Sequence, residues 1–198
     1  PTYVAAGVGG NTLVGSTNGT TWSPSLTTPF TTAGYGVAWN GTQWVAVGAG
    51  GNTIAYSADG LQWTGNSTLS TQGNDVAYGK DSSGNGLWVA AGQGGNSLAT
   101  STNGITWTGR TGTTVFTTGG WCVAFGKDGS GNNLLVAVGQ GGNTIATSTN
   151  GTTWTGRGAT VFTSTGRRII YGNGIWIAAG QGGNTIATSV DGITRIGR

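Results

Sequence analysis

The chain contains five copies of one sequence unit, and this repetition limits the possible folds more than any other feature. The tripeptide Gly-Gly-Asn recurs at intervals of 41 to 47 residues. Its copies begin at Gly9, Gly50, Gly94, Gly141 and Gly182, and the residues that follow each copy are nearly constant. Units of this length cannot bury a core alone, so neighbouring copies must pack on one another.

Each unit divides into four short segments that have the composition of β-strands. In the fourth unit they are Cys122–Phe125, Leu135–Gly139, Asn143–Ser148 and Thr152–Thr155. β-Branched and aromatic residues fill these segments, Gly, Asn and Asp separate them, and none has a helical period. A repeat of this length with four strands is typical of a propeller blade. The sequence therefore predicts an all-β fold: a five-bladed β-propeller of four-stranded antiparallel blades.

The predicted propeller is a single domain over residues 1–198, with repeats at about 1–34, 35–73, 74–119, 120–166 and 167–198. Links within a repeat are short and the link to the next repeat is longer, so the first strand of each repeat should be innermost. The first repeat lacks this strand. The ring could close with a three-stranded blade, with a flanking piece of chain, or with an edge from a second molecule, which would make a homo-oligomer.

The turn between the third and fourth strands has a constant sequence, as in Ser57–Trp63. This turn resembles a shortened Asp-box, the repeat of sialidases and related propellers, and the units are also similar to propeller repeats in viral and bacterial surface proteins. One residue is missing between Asp and Gly, Asn replaces Asp in three copies, and Arg195 replaces the last Trp. We expect Asp or Asn to cap each turn and the tryptophans to be core residues: Trp22, Trp63, Trp107 and Trp154.

The composition argues against catalysis. The chain has no His and no Glu, and its only acids are five Asp. Sialidase-type chemistry, which the resemblance would imply, uses a Glu, and glycoside hydrolysis in general uses two facing carboxylates. Cys122 has no His partner and is expected to be a small apolar strand residue. We therefore predict that the protein is not an enzyme.

The charge pattern and the loops suggest few other ligands. A net charge of +3 lacks the dense basic stripe of a nucleic-acid binder, and no apolar stretch is long enough to insert into a membrane. The insertions Lys80–Gly86 and Lys127–Asn133 resemble calcium loops, but each has one carboxylate, so solvated loops are expected. We predict no metal and no cofactor. No compartment is assigned, although an extracellular, cell-surface or virion location is favoured.

A ligand is expected at the end of the propeller that carries the Gly-Gly-Asn turns and the long interblade links, because loops on a rigid scaffold usually carry binding sites. Gln, Asn and Arg beside an aromatic ring suit a sugar, whose hydroxyls need donors and acceptors and whose C–H face needs a flat apolar surface. The alternative is that these residues only build the turns. The candidate binding residues are Gln93, Asn96, Arg110, Trp121, Gln140, Asn143, Arg157, Arg167, Gln181 and Asn184.

Two functions are consistent with the sequence. One is a multivalent, lectin-like module in which repeated loops on one face bind glycans and gain avidity. The other is a structural or assembly propeller, such as a virion, tail or cell-surface component or an engineered or duplicated repeat scaffold, which binds protein surfaces and has no small ligand. Equivalent site geometry in several blades would favour the first. Pairing of the incomplete first blade with a neighbour would favour the second.

Overall fold

A computed structural model describes residues 2–110 and 115–198, and over these residues the chain is built from antiparallel β-strands and turns. The all-β class predicted from the sequence is confirmed. The described residues include no helix with the length and apolar character needed to span a membrane.

The strands follow one another as up-and-down meanders, one for each sequence repeat. Repeats 1 and 2 contain β1 (Tyr3–Ala6), β2 (Leu13–Ser16), β3 (Ser23–Pro24), β4 (Phe30–Trp39), β5 (Trp44–Gly51), β6 (Ile54–Ser57) and β7 (Thr64–Asn66). Repeats 3 and 4 contain β8 (Gln72–Lys80), β9 (Gly86–Gln93), β10 (Leu98–Ser101), β11 (Thr108–Gly109), β12 (Phe116–Lys127), β13 (Asn133–Gly142), β14 (Ile145–Ser148) and β15 (Thr155–Gly156). Repeat 5 contains β16 (Phe162–Gly172), β17 (Ile175–Gly183), β18 (Ile186–Ser189) and β19 (Ile196–Gly197).

The first repeat forms a three-stranded sheet, and each later repeat adds a first strand, which we call its inner strand: β4, β8, β12 and β16. The missing strand was predicted correctly, but the inner strands are longer than predicted. For example, β12 begins at Phe116, six residues before the predicted start, because Phe116 pairs with Gly142 in the Gly-Gly segment. Much of the long link between repeats is therefore strand and not loop.

Isolated bridges connect some neighbouring repeats: Val8 with Ala33, Gln93 with Gly119, and Gln140 with Thr165. The described strands form sheets of three, four and twelve strands, and no sheet closes on itself within the described residues. The number of blades in a ring and its closure therefore stay predictions.

Each repeat that has a neighbour on both sides buries one face against the repeat before it and the other face against the repeat after it. Between repeats 2 and 3, Val45 and Val47 of β5 pack with Trp88 of β9 and with Trp107. Equivalent clusters fill the other three seams between consecutive repeats. All four seams thus join the same two faces, which explains why the Val-Ala-Val strand is apolar at successive positions: it is buried on both sides.

The two outermost faces lack such a cover. On the last repeat, Ile177 and Ile186 are 42% and 47% exposed, whereas the equivalent Val136 and Ile145 are 0% and 3% exposed. On the first repeat, Tyr3 is 49% exposed. Trp22 is 41% exposed, so the prediction that it is a core residue is wrong, because no described sheet packs on that face of repeat 1. The tryptophans predicted to be core in the next three repeats are buried: Trp63, Trp107 and Trp154.

The turns between third and fourth strands have the predicted capping geometry in all five repeats. The Asp or Asn side chain accepts hydrogen bonds of 2.7–2.9 Å from backbone N–H groups two and three residues ahead. The preceding Ser accepts the N–H of the turn Gly at 2.8–2.9 Å. Partial burial raises the pKa of Asp191, but the hydrogen bonds from Ile193, Ser189 and Thr194 together outweigh this effect and lower the pKa to about 2.

Candidate ligand-binding site

Each inner strand contains a β-bulge at the same position of the repeat. In β12, Gly120 pairs with Gly139 and Cys122 pairs with Val138, so Trp121 has no partner residue on β13. The same register shift leaves an unpaired residue in the other three inner strands. The four bulge residues are Tyr35, Asn74, Trp121 and Arg167. They differ completely, although the repeats around them are nearly identical, and a bulge commonly re-aims a side chain at a functional site.

A glycine immediately before each bulge explains why the strand takes this path. A Cβ on Gly120 would lie 2.5 Å from the carbonyl oxygen of Ser97 in the preceding repeat. The glycines at the equivalent positions, Gly34, Gly73 and Gly166, would meet the preceding repeat's backbone at 2.4–2.5 Å. Only glycine permits this close approach, which places every bulge beside the seam to the preceding repeat.

All four bulge residues line one cavity, which we call the inner-strand cavity. It has a volume of about 270 Å³. Its lining residues are Tyr35, Gln72, Asn74, Trp121, Arg167 and Arg168. It therefore combines two aromatic rings, two amides and two guanidinium groups drawn from four different repeats.

Trp121 and Arg167 form the centre of the cavity wall. The Arg167 guanidinium carbon lies 5.0 Å from the centre of the Trp121 ring, and its Nη2 donates a 3.1 Å hydrogen bond to Oε1 of Gln181. The indole Nε1 of Trp121 is buried and has no acceptor among the described residues. A buried donor without an acceptor costs about 1–3 kcal/mol.

Asn74 and Gln72 form the opposite part of the wall. Asn74 is 7% exposed, and its amide nitrogen donates a 2.7 Å hydrogen bond to the carbonyl oxygen of Gly120. The Gln72 amide nitrogen donates in turn to Oδ1 of Asn74. These two hydrogen bonds connect repeats 3 and 4. They leave the side-chain oxygen Oε1 of Gln72 as an acceptor that no described hydrogen bond uses.

The next residues along three of the inner strands are Asp75, Cys122 and Arg168, which together line a neighbouring cavity; Arg168 lines both cavities. Asp75 accepts the Val123 N–H at 3.0 Å and lies 3.9 Å from Arg168. Burial raises the pKa of Asp75 despite these contacts. Burial and the charge of Asp75 raise the pKa of Cys122 to about 12, so the thiol stays protonated and unreactive at neutral pH.

Of the residues predicted from the sequence, Trp121 and Arg167 line this cavity, and Gln181 accepts a hydrogen bond from Arg167. The predicted asparagines use their amides to hold the chain between repeats: Asn96 donates to the Thr68 carbonyl, Asn143 to that of Val115 and Asn184 to that of Val161, at 3.0–3.1 Å.

The remaining predicted residues do not line the cavity. Arg110 and Arg157 donate through Nε to Thr100 and Thr147 at 2.8 and 2.9 Å, between outer strands of one repeat. Gln93 and Gln140 pair through their backbones with the following repeat. Nothing places these four side chains around the same ligand.

The sequence prediction missed Tyr35, Gln72, Asn74 and Arg168. A signal for them was present, because an alignment of the repeats shows differences concentrated at the bulge and at the residue after it. The predicted residues instead included the Gln and Asn that recur at the Gly-Gly-Asn turns.

A larger cavity of about 670 Å³ lies between repeats 3 and 4 at the opposite end. Three of its polar lining residues cap local turns: Asp81 accepts the N–H groups of Ser83 and Asn85, and Asn103 and Asn150 cap their own turns. The hairpin of Asp128 is capped in the same way, which agrees with the interpretation of the two insertions as loops. The described residues contain no group of three or more His, Cys, Asp or Glu that could hold a metal ion.

Comparisons with known proteins identify the type of fold. No protein-family model matches the sequence, and no curated protein is significantly similar to it. Among solved structures, the computationally designed protein Ika4 has a TM-score of 0.55 at 15% identity, over 80% of this chain and 91% of Ika4. The GH74 enzyme of Niastella koreensis has a TM-score of 0.59 at 20% identity, over 96% of this chain but 29% of the enzyme.

These neighbours have propeller-type folds, and at such low identity the likeness shows the fold alone. The chain is thus an all-β repeat protein of the propeller type, which is a common architecture for binding and scaffold modules. The comparisons give no evidence of kinship with Asp-box proteins, and that resemblance stays a prediction.

Proposed function

We propose that the protein is a non-catalytic binding module that holds a sugar in the inner-strand cavity. The observation that carries this proposal is the composite wall: four equivalent bulges present four different side chains, and the buried indole N–H of Trp121 lacks an acceptor among the described residues. The rings of Trp121 and Tyr35 offer flat apolar surfaces, and the polar groups of Gln72, Asn74 and Arg167 offer hydrogen bonds to hydroxyls.

The geometry supports one composite site per chain and not several equivalent ones. The wall needs a tryptophan from repeat 4, an arginine from repeat 5 and amides from repeat 3, and no other part of the sequence repeats this combination. A volume of about 270 Å³ is close to the lower end of small-molecule pockets and suits one or two sugar rings. The multivalency predicted from the sequence is therefore replaced here by a single site.

The positions of the carboxylates support a non-catalytic role. Asp59 and Asp191 cap turns, and Asp81 and Asp128 cap hairpins. The remaining acid, Asp75, lies 3.9 Å from Arg168 of the cavity wall, and the sequence has no sixth acid. Glycoside hydrolysis with paired acids needs a second carboxylate facing the first.

The test is a broad glycan array followed by calorimetric titration of each hit. We expect saturable binding with one site per chain, and we expect Trp121→Ala to abolish it. Trp39→Ala is the matched control, because Trp39 is a 43% exposed tryptophan at the far end of β4 and should leave binding unchanged. Equal losses in both variants, or no glycan bound at millimolar concentration, would contradict the proposal.

We also propose that the open face of repeat 5 associates with the open face of repeat 1 of a second copy of the chain. In all four internal seams, the face equivalent to the open face of repeat 5 packs against the face equivalent to the open face of repeat 1. The two open faces should therefore be complementary in shape. Such a contact is heterologous and would produce rings or filaments, which would suit an assembly component.

Sedimentation equilibrium over a hundredfold range of concentration tests this second function. We expect reversible self-association that Ile177→Lys weakens. Val190→Lys is the control, because Val190 is 70% exposed in the turn of the same repeat and does not lie on the sheet face. A monomer at every concentration would contradict self-association and would favour closure of the two faces within one chain.

A further inference from the structure

The seam between repeats 4 and 5 lacks the tryptophan that follows the capped turn in the other repeats. In the first four repeats a tryptophan follows the capped turn, and its indole N–H donates to the carbonyl of the turn glycine at 2.8–3.2 Å. In repeat 5 this residue is Arg195. Beside it lies a cavity of about 100 Å³ whose lining includes Arg157, Thr160 and Ile145.

Two positive charges face this cavity. Arg195 donates from Nη1 to the Ile193 carbonyl at 3.4 Å, whereas its Nη2 is buried and has no acceptor among the described residues. Arg157 lines the same cavity. In the preceding seam, the equivalent residues are Arg110 and Trp154, so the pair of arginines is specific to the last seam.

The charge of the neighbouring Asp191 raises the pKa of Arg195 and so offsets only part of the effect of burial and of Arg157. Asp191 is the carboxylate nearest in sequence, and its Oδ1 accepts the N–H groups of Ile193 and Thr194 in the turn. Burial and the charge of Arg157 lower the pKa of Arg195 to about 10, so the Arg195 guanidinium group remains charged at neutral pH. A buried donor with a like charge beside it is a costly arrangement that an anion would relieve.

We infer that this seam binds a tetrahedral oxoanion, that is, a sulfate or phosphate group, between Arg195 and Arg157. Guanidinium groups donate paired hydrogen bonds to such oxygens, and the Thr160 hydroxyl is a further donor on the cavity wall. The volume of about 100 Å³ equals that of about three water molecules, which is enough for a small anion. The group is either a free ion or a substituent of a larger molecule such as a sugar.

Thermal unfolding and calorimetry with sodium sulfate, at an ionic strength held constant with sodium chloride, test this inference. We expect saturable binding and a rise in the melting temperature of about 3–6 °C at ten times the dissociation constant. Arg195→Trp restores the residue of the other repeats, so it should fold well and should lose sulfate affinity by at least about tenfold. Arg195→Gln provides a second variant should the larger side chain not fit.

Two further variants identify the residues that bind the anion. Arg157→Gln should also reduce the sulfate response, whereas Arg110→Gln, which changes the equivalent arginine of the preceding seam, should not. Sulfate stabilises most proteins by exclusion from their surface, and that part of the response should be equal in all variants and should not saturate. A response that is unsaturable, or equal in the wild type and Arg195→Trp, would overturn the inference.

A sulfated monosaccharide distinguishes the two sources of the anion. Affinity equal to that for inorganic sulfate would indicate a site for a free ion, whereas affinity at least about tenfold higher would indicate a sulfated glycan. Both outcomes support an oxoanion site. Failure of the monosaccharide and inorganic sulfate alike to bind the wild type would exclude it.

Discussion

The capped turns recur once in every repeat and the inner-strand bulges once in each of the last four, but the residues at these two places differ sharply in how constant they are. In the turns, Ser, Asp or Asn, and Gly recur in all five copies, and every copy makes the same local hydrogen bonds. At the bulges, the preceding glycine recurs, but the bulge residue itself is Tyr, Asn, Trp or Arg. Constant residues meet a backbone requirement, and variable residues on a constant backbone are free to serve a ligand.

The largest effect is expected from changing the constant part of a bulge. Gly120→Ala should destabilise the protein by about 1–3 kcal/mol, because the new Cβ would lie 2.5 Å from the Ser97 carbonyl oxygen. Denaturant unfolding measures this change. Gly172→Ala, at a glycine with no atom within 4 Å of its added Cβ, should have little effect. If Gly120→Ala were equally mild, the close approach would not be what positions the bulge.

The variable part of a bulge should affect binding and not stability. Arg167→Ala should lower the affinity for a bound sugar by about tenfold and change the stability by less than about 0.5 kcal/mol, because Arg167 is exposed. Calorimetry and denaturant unfolding on the same sample measure both quantities. Arg198→Ala is the control for the loss of one exposed positive charge. A stability loss without an affinity loss would assign Arg167 to the scaffold.

The turns should show the opposite behaviour. Asn150→Ala should cost about 1 kcal/mol of stability, because the N–H groups of Thr152 and Thr153 lose their acceptor, and should leave sugar binding unchanged. Asn150→Asp retains the acceptor and should be nearly neutral. Denaturant unfolding measures the stability of the two variants. A loss of sugar affinity in Asn150→Ala would contradict the assignment of a purely structural role to the turns.

The smallest effect concerns acid stability. The pKa of Asp191 is about 2 in the folded state against 3.8 as its ordinary value, so its contribution is present above about pH 4 and is lost as the pH falls towards 2. The contribution is less than about 1 kcal/mol, because the carboxylate is largely exposed and screened. Asp191→Asn should reduce the difference in unfolding free energy between pH 5 and pH 2. An unchanged difference would mean that the cap is independent of charge.

The repeat pattern was sufficient to predict the all-β class, the capped turns and the missing strand of repeat 1. Turn chemistry is local, so Asp59 or Asn103 can be assigned from the residues beside it. The inner strands were predicted too short because segments such as Phe116–Gly120 contain consecutive glycines, which are depleted in strands. They form strand because the Gly-Gly segment of the same repeat pairs with them.

The candidate site was harder to predict, because its residues meet across repeats. Asn143 resembles a ligand-binding residue in the sequence, yet its amide donates to the carbonyl of Val115, which lies 28 residues earlier. Tyr35 and Asn74 reach the cavity only through a register shift that leaves them unpaired. Such register shifts depend on close contacts between backbones of neighbouring repeats. In the sequence, the only sign of each shift is the glycine immediately before the bulge residue.

The indole N–H resonances of the tryptophans test the central claim most directly. In a nitrogen–proton spectrum recorded during titration with the sugar from the array, we expect the Trp121 resonance to shift with a saturable curve as it gains an acceptor. The resonances of Trp63, Trp107 and Trp154 should stay in place, because their N–H groups already donate to glycine carbonyls. Saturable sugar binding with an unmoved Trp121 resonance would contradict the assignment of the inner-strand cavity as the binding site.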